Sequence, residues 1–505
     1  MNNFLKGLKE ADNYKLTENG GVALKSTLDM VMDMFALGGV YRCRTDKDCI
    51  LLFKNAFEED RDLAMKCLFY LADCRGGQGE RRFFRVCYKW LAKNYPQVAL
   101  KNVELIPIYR RWDDVIYSCV GTPIEKDALT FITKQLALDI VCKTPSLLAK
   151  WMPSENASSR ETRQMGNHIR EFLGWTHKEY RKTLSDLRSR INIVEKLMSE
   201  NRWDEIEFDK IPSKAGLIYR NAFARRDLIA TKYKEFAKNK NTKVNANTLY
   251  PYEIVSRVTN TIAWWLDEDI DISDTDKAII EKYWLNQKDY FNGKQSNILC
   301  VVDTSGSMIG RQASAPINIA ISLGMYAAER AGGPFKDHYI SFSSRPQLIK
   351  IEGIDFVDKV QRIYKTNLCE NTDLTATFDM LLNIADSPNV KEEDIPSTII
   401  VISDMEIDYM SCGNSYDYRG GWTKNTAITE MDKVRAKWAA HGHKMPKLIY
   451  WNVQARQNTI LDKGEGVSFV SGASPAIFES VITEKSGREL MLDKLQSERY
   501  ADVKA

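Results

Sequence analysis

Residues Asn297–Met308 read NILCVVDTSGSM. After the leading asparagine comes an uninterrupted apolar run, Ile298 to Val302, which is too short for a helix and lacks the alternation of a half-buried strand. Such a run fits a strand covered on both faces, the usual state in a parallel sheet. Directly behind it, Asp303, Ser305 and Ser307 set three oxygen-bearing side chains at alternate positions, with Gly306 between the serines to allow a tight turn. In a parallel α/β sheet, ligands gather at the carboxyl ends of strands where the strand order switches. A strand that runs straight into an oxygen-rich turn is therefore a candidate binding loop.

The same pattern continues outward. His338–Phe342, Thr398–Ser403 (TIIVIS), Lys447–Trp451 and Val467–Val470 are further strand candidates. Amphipathic helices are expected at about 312–331, 373–386, 424–440 and 474–484. Strands alternating with helices predict a doubly wound α/β domain over residues 295–505. Two more oxygen ligands stand at matching places: Asp404 closes the strand TIIVISD, and Thr372 precedes the helix DLTATFDMLL. Hydroxyl and carboxylate oxygens are hard donors, suited to Mg²⁺ or Mn²⁺ rather than to zinc.

DTSGSM, a later threonine before a helix and an aspartate ending an apolar strand together resemble the metal-ion-dependent adhesion site of von Willebrand factor A domains, which are Rossmann-like in fold. The resemblance implies that Ser305 and Ser307 ligate the metal directly. Thr372 would act directly or through water, and Asp303 and Asp404 mainly through water. It also implies that a carboxylate from a partner protein completes the metal's shell. The sequence departs from the pattern at Asn371, where the family has glycine. A hydrolytic metal site needs a positioned base, and no DxDx(T/V) motif is present, so the expectation is a protein that is not an enzyme.

Residues 1–290 read differently. Apolar residues recur at helical spacing in Glu58–Cys74, from Glu80 onward, in the 129–140 region and from Leu184 to Leu197. Short breaks containing Gly, Pro or Asn separate these segments. Helices joined by short turns, without convincing strands, predict an α-helical repeat array with no strict period. The segment from about 271 to 296 has no clear pattern and is taken as the boundary.

Composition is that of a globular protein. Of the 505 residues 44% are hydrophobic and 28% charged, and the net charge is +3. No apolar run approaches the ~18 residues of a membrane span, and the N-terminus is not a secretory signal. A cytoplasmic protein without a membrane partner is expected. Ten scattered cysteines without a CxxC pair read as reduced core thiols. His441 and His443 form the only suggestive histidine spacing, and two loop histidines after a helix are the simpler reading.

Charge is unevenly divided. Residues 1–290 hold 47 Lys and Arg against 41 Asp and Glu, and the remainder holds 24 against 27. Between Lys210 and Lys243, ten basic residues face only Asp227 and Glu235. Arg225 and Arg226 open a run that continues through Lys232 and Lys234. Arg75, Arg81 and Arg82 surround a glycine turn next to Phe83 and Phe84, and Arg110 and Arg111 lie between Tyr109 and Trp112. Cations interleaved with aromatics suit single-stranded or structured RNA. The same arginines can instead pair with Glu80, Asp113 and Asp114, with the aromatics in the core, so both readings of each cluster stand open.

The order of helical array and A-type domain resembles the TROVE-domain (Ro) proteins, HEAT-like rings closed by an A domain that bind small noncoding RNA. Closer still is the resemblance to a family of plants, bacteria and large viruses that pairs a TROVE-like region with the same A domain. It is carried by RGGQGERRFF (Arg75–Phe84), IPIYRRWDDV (Ile106–Val115), KIPSKAGLIYRNAFARRD (Lys210–Asp227) and NTLYPYEIV (Asn247–Val255), with VISDMEID and IYWNV in the second half. The expected function is thus a metal-binding, non-enzymatic ribonucleoprotein component. The alternative is a metal-dependent protein–protein scaffold without RNA.

Overall fold

The computed structural model describes residues 7, 9–10, 12–18, 20, 22–191, 193–260, 271–310, 312–342, 345–365, 373–407, 430–462, 464, 466–481, 485 and 487–505. Helices dominate up to Leu285, and a six-stranded mixed sheet lies beyond. The chain therefore combines a helical part with an α/β part.

Local chemistry sets many helix starts. Thr45 caps helix Asp46–Glu59 in a reciprocal box with Asp48, and Thr176 does the same with Glu179 for helix His177–Arg190. The segment expected to run as one helix from Glu58 to Cys74 is broken at Asp60. Its carboxylate accepts from Leu63 N at 2.9 Å, so it ends one helix and caps the next, Arg61–Ala72. The pattern from Leu184 to Leu197 likewise divides into helices ending at Arg190 and beginning at Val194. The segment taken as a patternless boundary contains helix Asp274–Leu285. Its Trp284 stacks on Phe356 of the α/β part at 4.7 Å and accepts the Arg330 guanidinium over its ring at 5.0 Å.

The first strands are the hairpin β1 (Tyr14–Leu16) and β2 (Val22–Leu24), in a half where none was expected. The large sheet holds β3 (Ile298–Asp303), β4 (His338–Phe342), β5 (Leu348–Lys350), β6 (Thr398–Ser403), β7 (Lys447–Asn452) and β8 (Val467–Ser471). Its order is β5-β4-β3-β6-β7-β8. All neighbours are parallel except β5, which runs antiparallel at the edge. Five of the six match the expected strands to within a residue at each end. Short, half-exposed β5 carried no apolar run to announce it. Every residue of β3 and β6 is buried, as continuous apolarity requires of strands covered on both faces. Helix Pro316–Arg330 packs over β3, β4 and β6. A Cβ at Gly324 would come within 2.5 Å of Val302, so glycine permits this helix its close approach to β3.

The two parts interleave. Leu24 exchanges backbone hydrogen bonds with Ile460 at 2.8 and 3.1 Å, and helix Met30–Leu37 packs on β8. From the other end, Arg499 pairs with buried Asp73, and Tyr500 donates to the same carboxylate at 3.0 Å. Lys504 N donates to Asn102 at 3.1 Å. Among the described residues no helix is long and apolar enough to cross a membrane.

Candidate metal centre and basic surface

β3 and β6 are neighbours, and the chain leaves them toward opposite sides of the sheet, β4 lying on one flank and β7 on the other. Their carboxyl ends bring Asp303 and Asp404 together, although 100 residues separate β3 from β6 in register. Asp303 is wholly buried. Its Oδ2 accepts from Ser403 Oγ at 2.5 Å and its Oδ1 from Ser305 N at 2.9 Å. The Ser305 and Ser307 hydroxyls stand 3.0 Å apart. Asp404 is also buried. Its Oδ1 accepts from Glu406 N at 3.2 Å, whereas Oδ2 is a buried acceptor with no hydrogen-bond donor. Between them Met405 is held at φ +66°, a left-handed conformation that tightens the turn leaving β6.

Gly306 behaves differently from expectation. Its φ is not positive, and a Cβ there would meet nothing within 4 Å. The turn does not require glycine. The open space instead leaves the serine loop accessible from outside.

Burial raises both carboxyl groups above the ordinary aspartate range, and the negative charge of Asp404 adds to the rise at Asp303. Glu406, two residues on, is raised by burial as well. Arg456 is a cation beside this cluster, its Nε 3.6 Å from Asp404 Oδ2, and Lys15 acts electrostatically on Glu406. Two buried carboxyl groups share one partly exposed guanidinium, so ionising both calls for a further cation. A divalent cation held by hydroxyl and carboxylate oxygens suits that donor set. No group of three or more His, Cys, Asp or Glu side chains suited to a metal occurs among the described residues. Asp303, Ser305, Ser307 and Asp404 are brought together; Thr372 lies outside the described residues. Ser403 and Arg456 were not singled out in the sequence. The signal for Ser403 was its place at the carboxyl end of β6, next to the switch; Arg456, four residues beyond the end of β7, carried none.

The basic residues divide into two groups. Asp114, wholly buried, accepts from Arg81 Nε at 2.9 Å, Arg85 Nε at 2.6 Å and Arg110 Nε at 3.2 Å. Arg110 also donates to the carbonyls of Ala72 and Gly79 and is buried, which takes its guanidinium away from any RNA surface. Arg81 and Arg111 pair with Asp113, and Arg111 lies 4.1 Å over the Trp151 ring. Arg82 pairs with Asp46. Phe83, Phe84 and Tyr109 are core residues. The glycine turn beside them is equally structural: a Cβ at Gly77 would fall 1.8 Å from the Tyr70 carbonyl oxygen.

The second group faces solvent. Helices Ser213–Arg225 and Asp227–Lys238, with Arg226 as the extended residue between them, present Arg225, Arg226, Lys232, Lys234 and Lys238, all exposed. Arg226 donates to Asn201 at 2.9 Å and lies over Trp203 at 5.0 Å, and Lys232 reaches the Asp204 and Ile206 carbonyls at 3.3 Å. No carboxylate among the described residues pairs with any of these five. Arg75 is exposed too, with one bond to the Ile108 carbonyl at 3.0 Å. It lines a groove of about 890 Å³ between the two parts, together with Ser213, Asn247, Lys288 and Arg499.

A helical part joined to an α/β part, with an oxygen-lined loop pair at the strand-order switch of a mainly parallel sheet, defines the class. The chain belongs to the family described as Domain of unknown function (DUF2828), whose model matches residues 17–171 and 124–289, together more than half of it. A second model, Domain of unknown function (DUF7788), matches residues 297–503. The chain is similar to Uncharacterized protein L728 of Acanthamoeba polyphaga mimivirus, with 25% identity over 93% of this chain and 85% of the relative. Among solved structures it is similar to the Ro (RSR) protein of Deinococcus radiodurans, at 13% identity and a TM-score of 0.40, over 93% of this chain and 99% of that one.

Proposed function

We propose that this is a non-enzymatic adaptor whose α/β part, a von Willebrand factor A-type domain, binds one Mg²⁺ or Mn²⁺, and whose helical part binds RNA. The observation that supports the metal centre is the buried Asp303–Asp404 pair at adjacent strand ends, with Ser305 and Ser307 beside it and Asp404 Oδ2 lacking a donor. Ser305 and Ser307 would hold the ion, with Asp303 and Asp404 in support and Thr372 assigned by resemblance. Bound there with few anionic ligands, the ion supplies an electrophile able to take a partner protein's carboxylate. The chain's own residues keep the carboxylates dry and the hydroxyls converged.

RNA binding rests on the exposed basic residues Arg225, Arg226, Lys232, Lys234 and Lys238, which outnumber Asp227 and Glu235 in the same stretch, and on Arg75 in the groove. Arg81, Arg82 and Arg111 contribute less to this reading because they are paired, and Arg110 contributes nothing because it is buried. The test is a salt titration of RNA affinity. If the run contacts phosphates, changing Arg225, Arg226 and Lys232 together to Gln weakens binding at low salt. It also flattens the slope of log K against log salt by about two units, at roughly 0.7 per phosphate of a single strand. Affinity no tighter than ~10⁻⁴ M, or an unchanged slope, favours the metal-dependent protein scaffold instead.

A further inference from the structure

Arg456 stands in the loop that leaves β7, and three contacts converge on its guanidinium. Nε lies 3.6 Å from Asp404 Oδ2, Nη2 donates to the Ser307 carbonyl, and Nη1 lies 3.2 Å from Glu18 Oε2. One side chain thus touches both loops of the candidate centre and a residue from the far N-terminus.

Its loop is gripped by that N-terminal segment. Arg44 donates to the Arg456 carbonyl, Lys15 Nζ to Gln457 Oε1 at 3.3 Å, and Tyr41 OH to Asn458 Oδ1 at 2.5 Å. Leu24 and Ile460 form the isolated β-bridge that closes the loop. On the other side, Glu406 Oε2 accepts from Glu18 N at 2.7 Å and Oε1 from Thr459 Oγ1 at 3.1 Å. Lys15, Glu18, Leu24, Tyr41 and Arg44 therefore fix where Arg456 stands, and Arg456 places a positive charge against the oxygens that would face a metal.

We propose that Arg456 is a resident counter-cation of the carboxylate pair, positioned by the N-terminal hairpin, and that it sets the affinity of the centre by competing with the divalent ion. This inference rests on the metal-binding reading. Like charges a few ångströms apart in a partly buried site repel strongly, so the ion binds either against Arg456 or after it swings toward Glu18. Arg456 acts on the ion through Asp404 and the Ser307 carbonyl and is a positioning residue, not a ligand.

The experiment is titration of the full-length chain with Mn²⁺, free ion being read by electron paramagnetic resonance, for wild type, Arg456→Gln, Arg456→Lys and Glu18→Gln. The expected result for Arg456→Gln is affinity tighter by about tenfold or more, because a unit positive charge beside a divalent ion is removed. Arg456→Lys keeps the charge and stays within about threefold of wild type. Glu18→Gln leaves Arg456 uncompensated and weakens binding by about twofold to fivefold. Far-ultraviolet circular dichroism establishes that each variant is folded, and the opposite sign expected of Glu18→Gln provides a check independent of the arginine variants. Wild type that binds Mn²⁺ while Arg456→Gln binds no more tightly overturns the inference and leaves the metal reading standing. Equal tightening by Arg456→Lys overturns it as well, since a lost contact rather than a lost charge would be the cause. Absence of Mn²⁺ binding in every protein, Arg456→Gln included, overturns both.

Discussion

Asp303 and Ser305 show how few residues the metal reading depends on. Asp303 is wholly buried and draws one hydrogen bond from each loop of the centre, while Ser305 offers its hydroxyl 3.0 Å from that of Ser307. A ligand that binds only the folded state stabilises it by mass action, by about 2.7 kcal/mol at a hundredfold excess over Kd. Thermal melts of wild type are therefore expected to rise with Mg²⁺. Those of Asp303→Ala and Ser305→Ala are expected not to respond, with helical circular dichroism intact. An equal response in the variants moves the ion elsewhere. The pH dependence has a definite sign. Because burial raises both aspartates in the metal-free protein, the folded state binds more protons than the unfolded state above the ordinary aspartate pKa. Their contribution to metal-free stability therefore falls as pH rises toward the raised values. Metal must displace those protons, so the Mg²⁺-induced rise in Tm should grow between about pH 5 and pH 8. A shift that shrinks over that range argues against carboxylate involvement.

At the scale of elements, the helical part is organised around buried ion pairs as well as apolar faces. Asp114, in the first turn of helix Trp112–Cys119, joins that helix to Arg81–Asn94 through Arg81 and Arg85 and anchors Arg110. Removing one partner of a buried pair leaves the others desolvated and unpaired, at about 3–5 kcal/mol. Asp114→Ala should cost that much in urea unfolding, whereas Arg81→Gln, at a site one-third exposed, should cost about 1 kcal/mol or less. Equal costs would mean that Asp114 is not the centre of the network. These interactions also explain why the cluster around Arg75–Phe84 misleads when read in sequence. Charge beside aromatics is common to a nucleic-acid surface and to a helix junction, and only the position of Asp113 and Asp114 in space separates the two. Helix Asp274–Leu285 was hidden for a related reason. It is apolar toward both parts of the molecule, and that blurs the one-sided period by which an amphipathic helix is recognised.

For the whole molecule, the exchange of termini couples the two parts. β2 bridges to Ile460 through Leu24 and helix Met30–Leu37 packs on β8, while Arg499, Tyr500 and Lys504 hold Asp73 and Asn102 of the helical part. Unfolding should accordingly be a single transition, with circular dichroism and tryptophan fluorescence coincident in urea. Deleting residues 497–505 strips buried Asp73 of Arg499 and Tyr500 and should lower the midpoint for both probes together. Two separated transitions in the intact chain would show that the parts fold independently.

The apolar runs of β3, β6, β7 and β8 and the alternation of strand with helix determined the α/β part from sequence alone. A strand covered on both faces favours apolar residues along its whole length, and boundaries came within a residue. DTSGSM and Asp404 were legible for the same reason, since strand ends at a switch are where a parallel sheet exposes its ligand loops. Tertiary structure alone decided which arginines are free and which are spent on Asp113 and Asp114. It alone also brought Glu18 to Arg456, 438 residues apart in the chain, and Arg456 to Asp404 and Ser307. Backbone periodicity is a local property written into every few residues. Charge pairing between distant segments depends on how elements pack, and no short stretch of sequence records it.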